Sequence, residues 1–255
     1  LLDPASVHRI VRPVFGSAAS LGVIGAINHE AVEACFTRLE EIEERFSTYR
    51  PTSEISRIRD GLLHLHDAHA ETRMILQICD ALYEETSGLF DAWHASMDGR
   101  LDPSGFVKGW AIGEAMGVLN QAGMANLTLG IGGDVAATGG GPRGIGWDVG
   151  VVDPLAPGSV MARVLLRDAA IATSGPTERP GHLRDPRTGL PSTSPWVSFS
   201  VVGPSIARAD TLATIGYLEG EGGLARVDQE PGFGALAMAY DGRLLATEGF
   251  RLMSI

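Results

Sequence analysis

"WVSFSVVGPSIARADTLATIG", residues 196–216, runs from a stretch rich in β-branched and aromatic residues into one of helical character. The first eight residues are mostly β-branched or aromatic and stop at Gly203-Pro204, which reads as a strand. From Ala207 to Glu219 small and apolar residues dominate, and a helix is expected there. Further strand-like runs flank this pair: "NLTLGI" (126–131), "WDVGVV" (147–152) and "VMARVLLRD" (160–168). "ALAMAYDGRLLATEG" (235–249) reads as a hairpin turning at Asp241-Gly242.

The first half has a different rhythm. In "NHEAVEACFTRLEEIEERFS" (28–47), Val32, Cys35, Phe36, Leu39, Ile42 and Phe46 recur at helical spacing behind Asn28, a candidate cap. A short helix is expected from Ser53. Longer ones are expected over 69–86, stopped by Gly88, and over 106–122, stopped by Gly123. Helices early and strands late predict an α+β fold of mixed or antiparallel sheets flanked by helices. With 255 residues and no linker-like segment, residues 1–255 are expected to form one two-lobed unit.

The formal charge of -11 excludes non-specific nucleic-acid binding, which needs a basic surface. It also means that an anionic ligand needs local cations or a metal. Cys35 and Cys79 fall on apolar helix stripes and read as reduced core residues. No run approaches the length of a transmembrane segment. "LLDPASVHRIVRPVFG" lacks a signal-peptide pattern, so the default expectation is a cytoplasmic protein unless a signal or anchor precedes residue 1.

Four stretches carry candidate chemistry. Asp210 and Thr214 lie one helical turn apart and share a face. Either Asp210 caps the helix and Thr214 bonds back to a carbonyl, or the two offer oxygens to a hard cation such as Mg2+ that shares substrate phosphates. "RPGHLRDPRTGLP" (179–191) sets His182 among Arg179, Arg184 and Arg187. It is either a solvated polar loop or a base kept neutral by neighbouring cations. "LDPSGFVKGWAIGEAM" (101–116) puts Asp102 before a helix whose start carries Lys108, an arrangement that suits an anion as well as a solvent-facing lysine. In "ATSGPTER" (172–179), Ser174 and Gly175 either present N–H groups to a ligand or make a turn; no G-x-S-x-G elbow surrounds the serine, which counts against a Ser-His hydrolase. "LGIGGDVAATGGG" (129–141) lacks the G-K-[ST] ending of a P-loop and leads into no helix, so it reads as a strand followed by a glycine turn.

Taken in order, these pieces resemble the ApbE family, the FAD:protein FMN transferases. "FGSAAS", "FSTYRPTSEISRI", "TSGLFD", "LDPSGFVKGWAI", "NLTLGIGGDV", "WDVGVVDP", "AIATSGPTER", "HLRDPRTGLP" and "ARADTLATIG" carry the resemblance, over residues 14 to 250. It implies a T-fold-like architecture and a reaction in which Mg2+ assists transfer of FMN from FAD to a Thr or Ser hydroxyl of a target flavoprotein, with release of AMP. Asp210 and Thr214, with the backbone carbonyls of Gly105 and Ala213, match the family's metal site. His182 matches its general base. Phe15, Tyr49, Leu89, Phe90, Asp91, Asp102, Lys108, Ser174, Gly175 and Arg184 match flavin-nucleotide positions. Three departures stand out: Phe15 replaces the usual Met, Gly113 replaces a commonly acidic residue, and the segment from Asp91 to Asp102 is short. An FAD pyrophosphatase and a non-catalytic FAD-binding protein are the competing expectations.

Overall fold

A computed structural model of the chain describes residues 6–94, 99–176 and 184–255. Its strands are β1 (His8–Val14), β2 (Ser17–Val23), β3 (Leu127–Ile131), β4 (Asp134–Thr138), β5 (Trp147–Val152), β6 (Val160–Leu166), β7 (Ala169–Ser174), β8 (Arg184–Asp185), β9 (Leu190–Pro191), β10 (Trp196–Gly203), β11 (Gly234–Ala239) and β12 (Leu244–Ala246). Its helices are α1 (His29–Phe46), α2 (Glu54–Arg59), α3 (Ala70–Glu85), α4 (Ser104–Gln121), α5 (Ile206–Glu219), α6 (Gly222–Asp228) and α7 (Glu248–Met253). The α+β expectation holds, and every strand pair among the described residues is antiparallel.

One eight-stranded sheet runs in the order β1-β2-β3-β4-β7-β10-β11-β12. Helix α5 lies across β7 and β10, α4 packs on α5, and α1 packs on α4. Strand pleating sorts the side chains between two cores. Phe199, Val201, Ala170 and Ala172 join the helices, whereas Val202 and Ile171 join Trp147, Val164 and Phe250 on the other face. Strand β10 is buried along its whole length, and it carries no charged residue on either face.

The predicted helices form with the expected stops. Asn28 caps α1 through the Ala31 N–H, Ser53 caps α2 through the Ser56 N–H, and Gly88 and Gly123 follow α3 and α4 with positive φ. The late hairpin forms as β11 and β12, although its last residues belong to α7. Cys35 and Cys79 are free and buried, and burial, the largest influence on each, pushes both thiols up to about 12.

Two readings need correction. The first half is not purely helical, because β1 and β2 open it as a hairpin on the sheet edge. "HRIVRPV" carries Pro13 and two arginines, residues that suit an edge strand but blur the strand signal. The hairpin turns on Phe15 and Gly16, with φ of 53° and 65°, the two positive values of a type I′ turn. The stretch after "LGI" is likewise not just a glycine turn. Gly132-Gly133 reverses the chain into β4, so Ile131 pairs with Asp134.

Candidate functional site

Helix α5 is apolar nearly all round and sits between the sheet and α4, as a central helix should. Ser205 caps it through the Arg208 N–H, so Asp210 is not its cap. The back-bonding hydroxyl is that of Thr211, which donates to the Ala207 carbonyl at 2.9 Å. Asp210 and Thr214 have other partners. Asp210 is 2% exposed, and its Oδ2 accepts the Gly109 N–H of α4 at 2.9 Å. The Thr214 hydroxyl lies 3.1 Å from that of Ser174, at the end of β7.

The small residues around Asp210 have a geometric reason. A Cβ on Gly109 would stand 2.8 Å from the Asp210 Cβ and 2.9 Å from the Ile206 carbonyl oxygen. The α4 backbone therefore meets α5 at a distance only glycine allows, and this contact delivers the Gly109 N–H to the carboxylate.

Lys108 lies beside that crossing. Helix α4 starts at Ser104, so the lysine is one turn in rather than in the first turn, and its side chain is only partly exposed. Its ammonium is 2.8 Å from Asp134 Oδ2 and 3.7 Å from Asp210 Oδ1. Asp134, fully buried at the start of β4, also accepts the Thr173 N–H at 3.1 Å. Asp134 stands in the quoted "GIGGDV" but was not among the expected site residues. The available signal was an acid directly after a two-glycine turn, facing no predicted cation until α4 was placed.

The cluster thus joins four elements: Lys108 from α4, Asp210 and Thr214 from α5, Asp134 from β4 and Ser174 from β7. Among the described residues two buried carboxylates face this one partly exposed ammonium. Among the described residues no three His, Cys, Asp or Glu side chains converge as a metal cluster. The Asp210 carboxylate, the Thr214 hydroxyl and the carbonyls of Gly105 and Ala213 are all oxygens, and that donor chemistry suits a hard cation that completes its shell with phosphates and water. Ala213 is fully buried in α5, and Gly105 is in the first turn of α4, where a Cβ would stand 3.3 Å from the Phe90 ring.

The remaining expected residues are dispersed in character. Asp102 accepts the Ser104 N–H at 2.9 Å and so organises the start of α4. Asp91 accepts the N–H groups of Trp93 and His94 and lies 2.8 Å from His94 Nδ1. Leu89 and Phe90 are core residues at 4% and 5% exposure, whereas Tyr49 is 82% exposed. Phe15, at its turn, packs partly against the main core. Gly175 follows Ser174, and a side chain there would meet the Val197 carbonyl. Arg184 donates to the Gly189 carbonyl within its own short hairpin, where the Asp185–Arg187 pair (2.7 Å) holds the Asp185 carboxyl below its usual range. His182 lies outside the described residues.

Known proteins share both the sequence pattern and the fold. The chain is similar to the FAD:protein FMN transferase of Treponema pallidum (strain Nichols), with 29% identity over 59% of this chain and 46% of that protein. It is also similar to that of Vibrio cholerae serotype O1, with 25% identity over 83% and 81%. A third relative, from Rhodobacter capsulatus, is 34% identical over 60% of this chain, though over only 30% of its own length. The solved flavin transferase ApbE of Vibrio cholerae superposes with a TM-score of 0.85 at 23% identity, covering 98% of this chain and all of that one. The ApbE protein of Thermotoga maritima gives 0.86 at 22%, with the same coverage. At these identities the structures establish the fold. A model of the ApbE family matches residues 15–98 and 94–237, most of the chain, and the protein belongs to that family.

Proposed function

We propose that this protein is an enzyme that moves the FMN half of FAD to a Thr or Ser hydroxyl of a target flavoprotein and releases AMP, acting through residues 1–255 as one unit. The buried Lys108–Asp134–Asp210 cluster, seated beside the Thr214 and Ser174 hydroxyls, carries this reading. A structural protein gains little from two ionised carboxylates buried against one partly exposed ammonium, because desolvation offsets their attraction. A phosphate-handling site needs a cation-ready carboxylate and a directed ammonium side by side.

The acceptor hydroxyl oxygen attacks the phosphorus on the FMN side of the pyrophosphate, the P–O bond to the AMP side breaks, and AMP leaves with the electron pair. His182 takes the hydroxyl proton, which a neutral imidazole can do near pH 7. Lys108 directs positive charge at the phosphates, and the start of α4, organised by Asp102, offers N–H groups to an anion. Mg2+, held by Asp210, Thr214 and the carbonyls of Gly105 and Ala213, would neutralise charge growing on the leaving group. Tyr49, Asp91, Arg184 and the backbone at Ser174-Gly175 line the flavin nucleotide, with Leu89, Phe90 and Phe15 supporting its apolar side.

The test is incubation with FAD, Mg2+ and a flavoprotein domain carrying an acceptor Thr or Ser, read by mass spectrometry. Covalent flavin on the acceptor with equimolar AMP supports the proposal. Free FMN and AMP alone would replace it with FAD hydrolysis, and intact FAD after hours would leave only binding.

A further inference from the structure

Asp134 takes no part in the chemistry above, yet it is the most deeply buried carboxylate of the cluster. We propose that Asp134 is a positioning residue that holds the Lys108 ammonium away from Asp210, so that the Asp210 carboxylate stays available to a divalent cation. This rests on the flavin-transfer reading and concerns the same site.

The distances favour one partner. Lys108 Nζ forms a close ion pair with Asp134 Oδ2 at 2.8 Å and a longer one with Asp210 Oδ1 at 3.7 Å. That second oxygen is the contested one, because Asp210 Oδ2 is already engaged by the Gly109 N–H at 2.9 Å. Asp134 is also fixed in place. It begins β4, which is paired with β3 on one side and β7 on the other, and its Oδ1 accepts the Thr173 N–H at 3.1 Å. Lysine, by contrast, is a point charge on a flexible four-carbon stem. Released from Asp134, the ammonium has Asp210 as its next carboxylate among the described residues, on a helix that crosses α4 at backbone contact. An ammonium seated there would compete with a metal for the same oxygen.

The experiment is a double-mutant cycle read by isothermal titration with Mn2+ on FAD-free protein. Asp134→Asn removes the charge and keeps an oxygen for the Thr173 N–H; K108M removes the competitor. The expected result is that D134N weakens Mn2+ binding at least about tenfold in the native background but less than about threefold in the K108M background. Equal losses in both backgrounds would mean that Asp134 acts only as a distant charge, and no loss would mean that it does nothing for the metal; either overturns the inference. If circular dichroism shows D134N unfolded, Asp134→Ser takes its place in the same cycle, with the same criteria. A native protein that binds no Mn2+ overturns the metal assignment itself. A native protein that binds Mn2+ and is matched by D134N overturns the role of Asp134 alone.

Discussion

Helix α5 carries two clusters of the same stoichiometry, two residues apart. Arg208 is paired with Glu85 of α3 and with Glu230, which follows α6; Lys108 stands between Asp134 and Asp210. Each sets one cation between two carboxylates. The acids of the first cluster are 46% and 28% exposed, whereas those of the second are 0% and 3% exposed. The cations differ as well. The planar guanidinium of Arg208 hydrogen-bonds both acids, while the lysine ammonium contacts one and only approaches the other. Counting charges therefore does not separate a surface staple from a site. The separation comes from desolvation, together with a cation too compact to satisfy both acids.

The sharpest way to break this comparison is Asp210→Asn, which keeps an oxygen for the Gly109 N–H and removes the buried charge. AMP release from FAD should fall at least about a hundredfold with Mg2+ saturating, while the melting temperature changes little. Activity within threefold of native would reduce the buried cluster to a structural feature like its exposed counterpart.

Much of the exposed cluster's scaffold could be read from residue order, and little of the buried one's geometry could. The helices α1, α3, α4 and α5 follow from apolar spacing and from start and stop residues such as Asn28, Gly88 and Gly123, all of which act within a few residues. The Asp210–Thr214 pair follows from helical periodicity. Its separate partners do not: Gly109 and Ser174 come from distant parts of the chain, brought in by a helix crossing and a strand end. Asp134 was hidden for the same reason, since Lys108 is 26 positions away and reaches it only after α4 is laid on the sheet. The β1–β2 hairpin escaped because an edge strand tolerates the arginines and proline that mask alternation.

A third cluster, on α1 and α3, sharpens the comparison by pH. Glu71 of α3 receives Arg38 and Arg45 of α1, and Arg38 also reaches Glu114 of α4 at 3.0 Å. Burial pulls the Glu71 pKa upward, but the hydrogen bonds and charges of the two arginines outweigh it, and the net shift is downward. A carboxyl whose folded pKa lies below its unfolded one contributes stability that is complete above the ordinary value, here 4.5, and is lost as pH falls through the folded value. Glu71→Gln should therefore cost about 1–2 kcal/mol near pH 7, by urea unfolding, from a half-buried pair. The gap from native should hold to about pH 5 and close below 4.5. A gap that widens on acidification would reverse the sign assigned to the arginines.

The smallest effect belongs to Arg208→Met, and its smallness is informative. Pairs open to solvent on the acid side contribute about 0–1 kcal/mol, so the melting temperature should drop by no more than a few degrees. AMP release should stay within threefold of native, although the substitution sits two residues from Asp210 on the same helix. Raising the salt from 0.05 to about 0.5 M should erase most of the stability difference, because the Glu85 and Glu230 carboxylates are within reach of mobile ions. The deficit of the Asp210 variant should persist at that salt, because its acids are sealed from solvent. If both variants responded to salt alike, burial would not distinguish the two clusters, and the claim that desolvation makes one of them a site would fail.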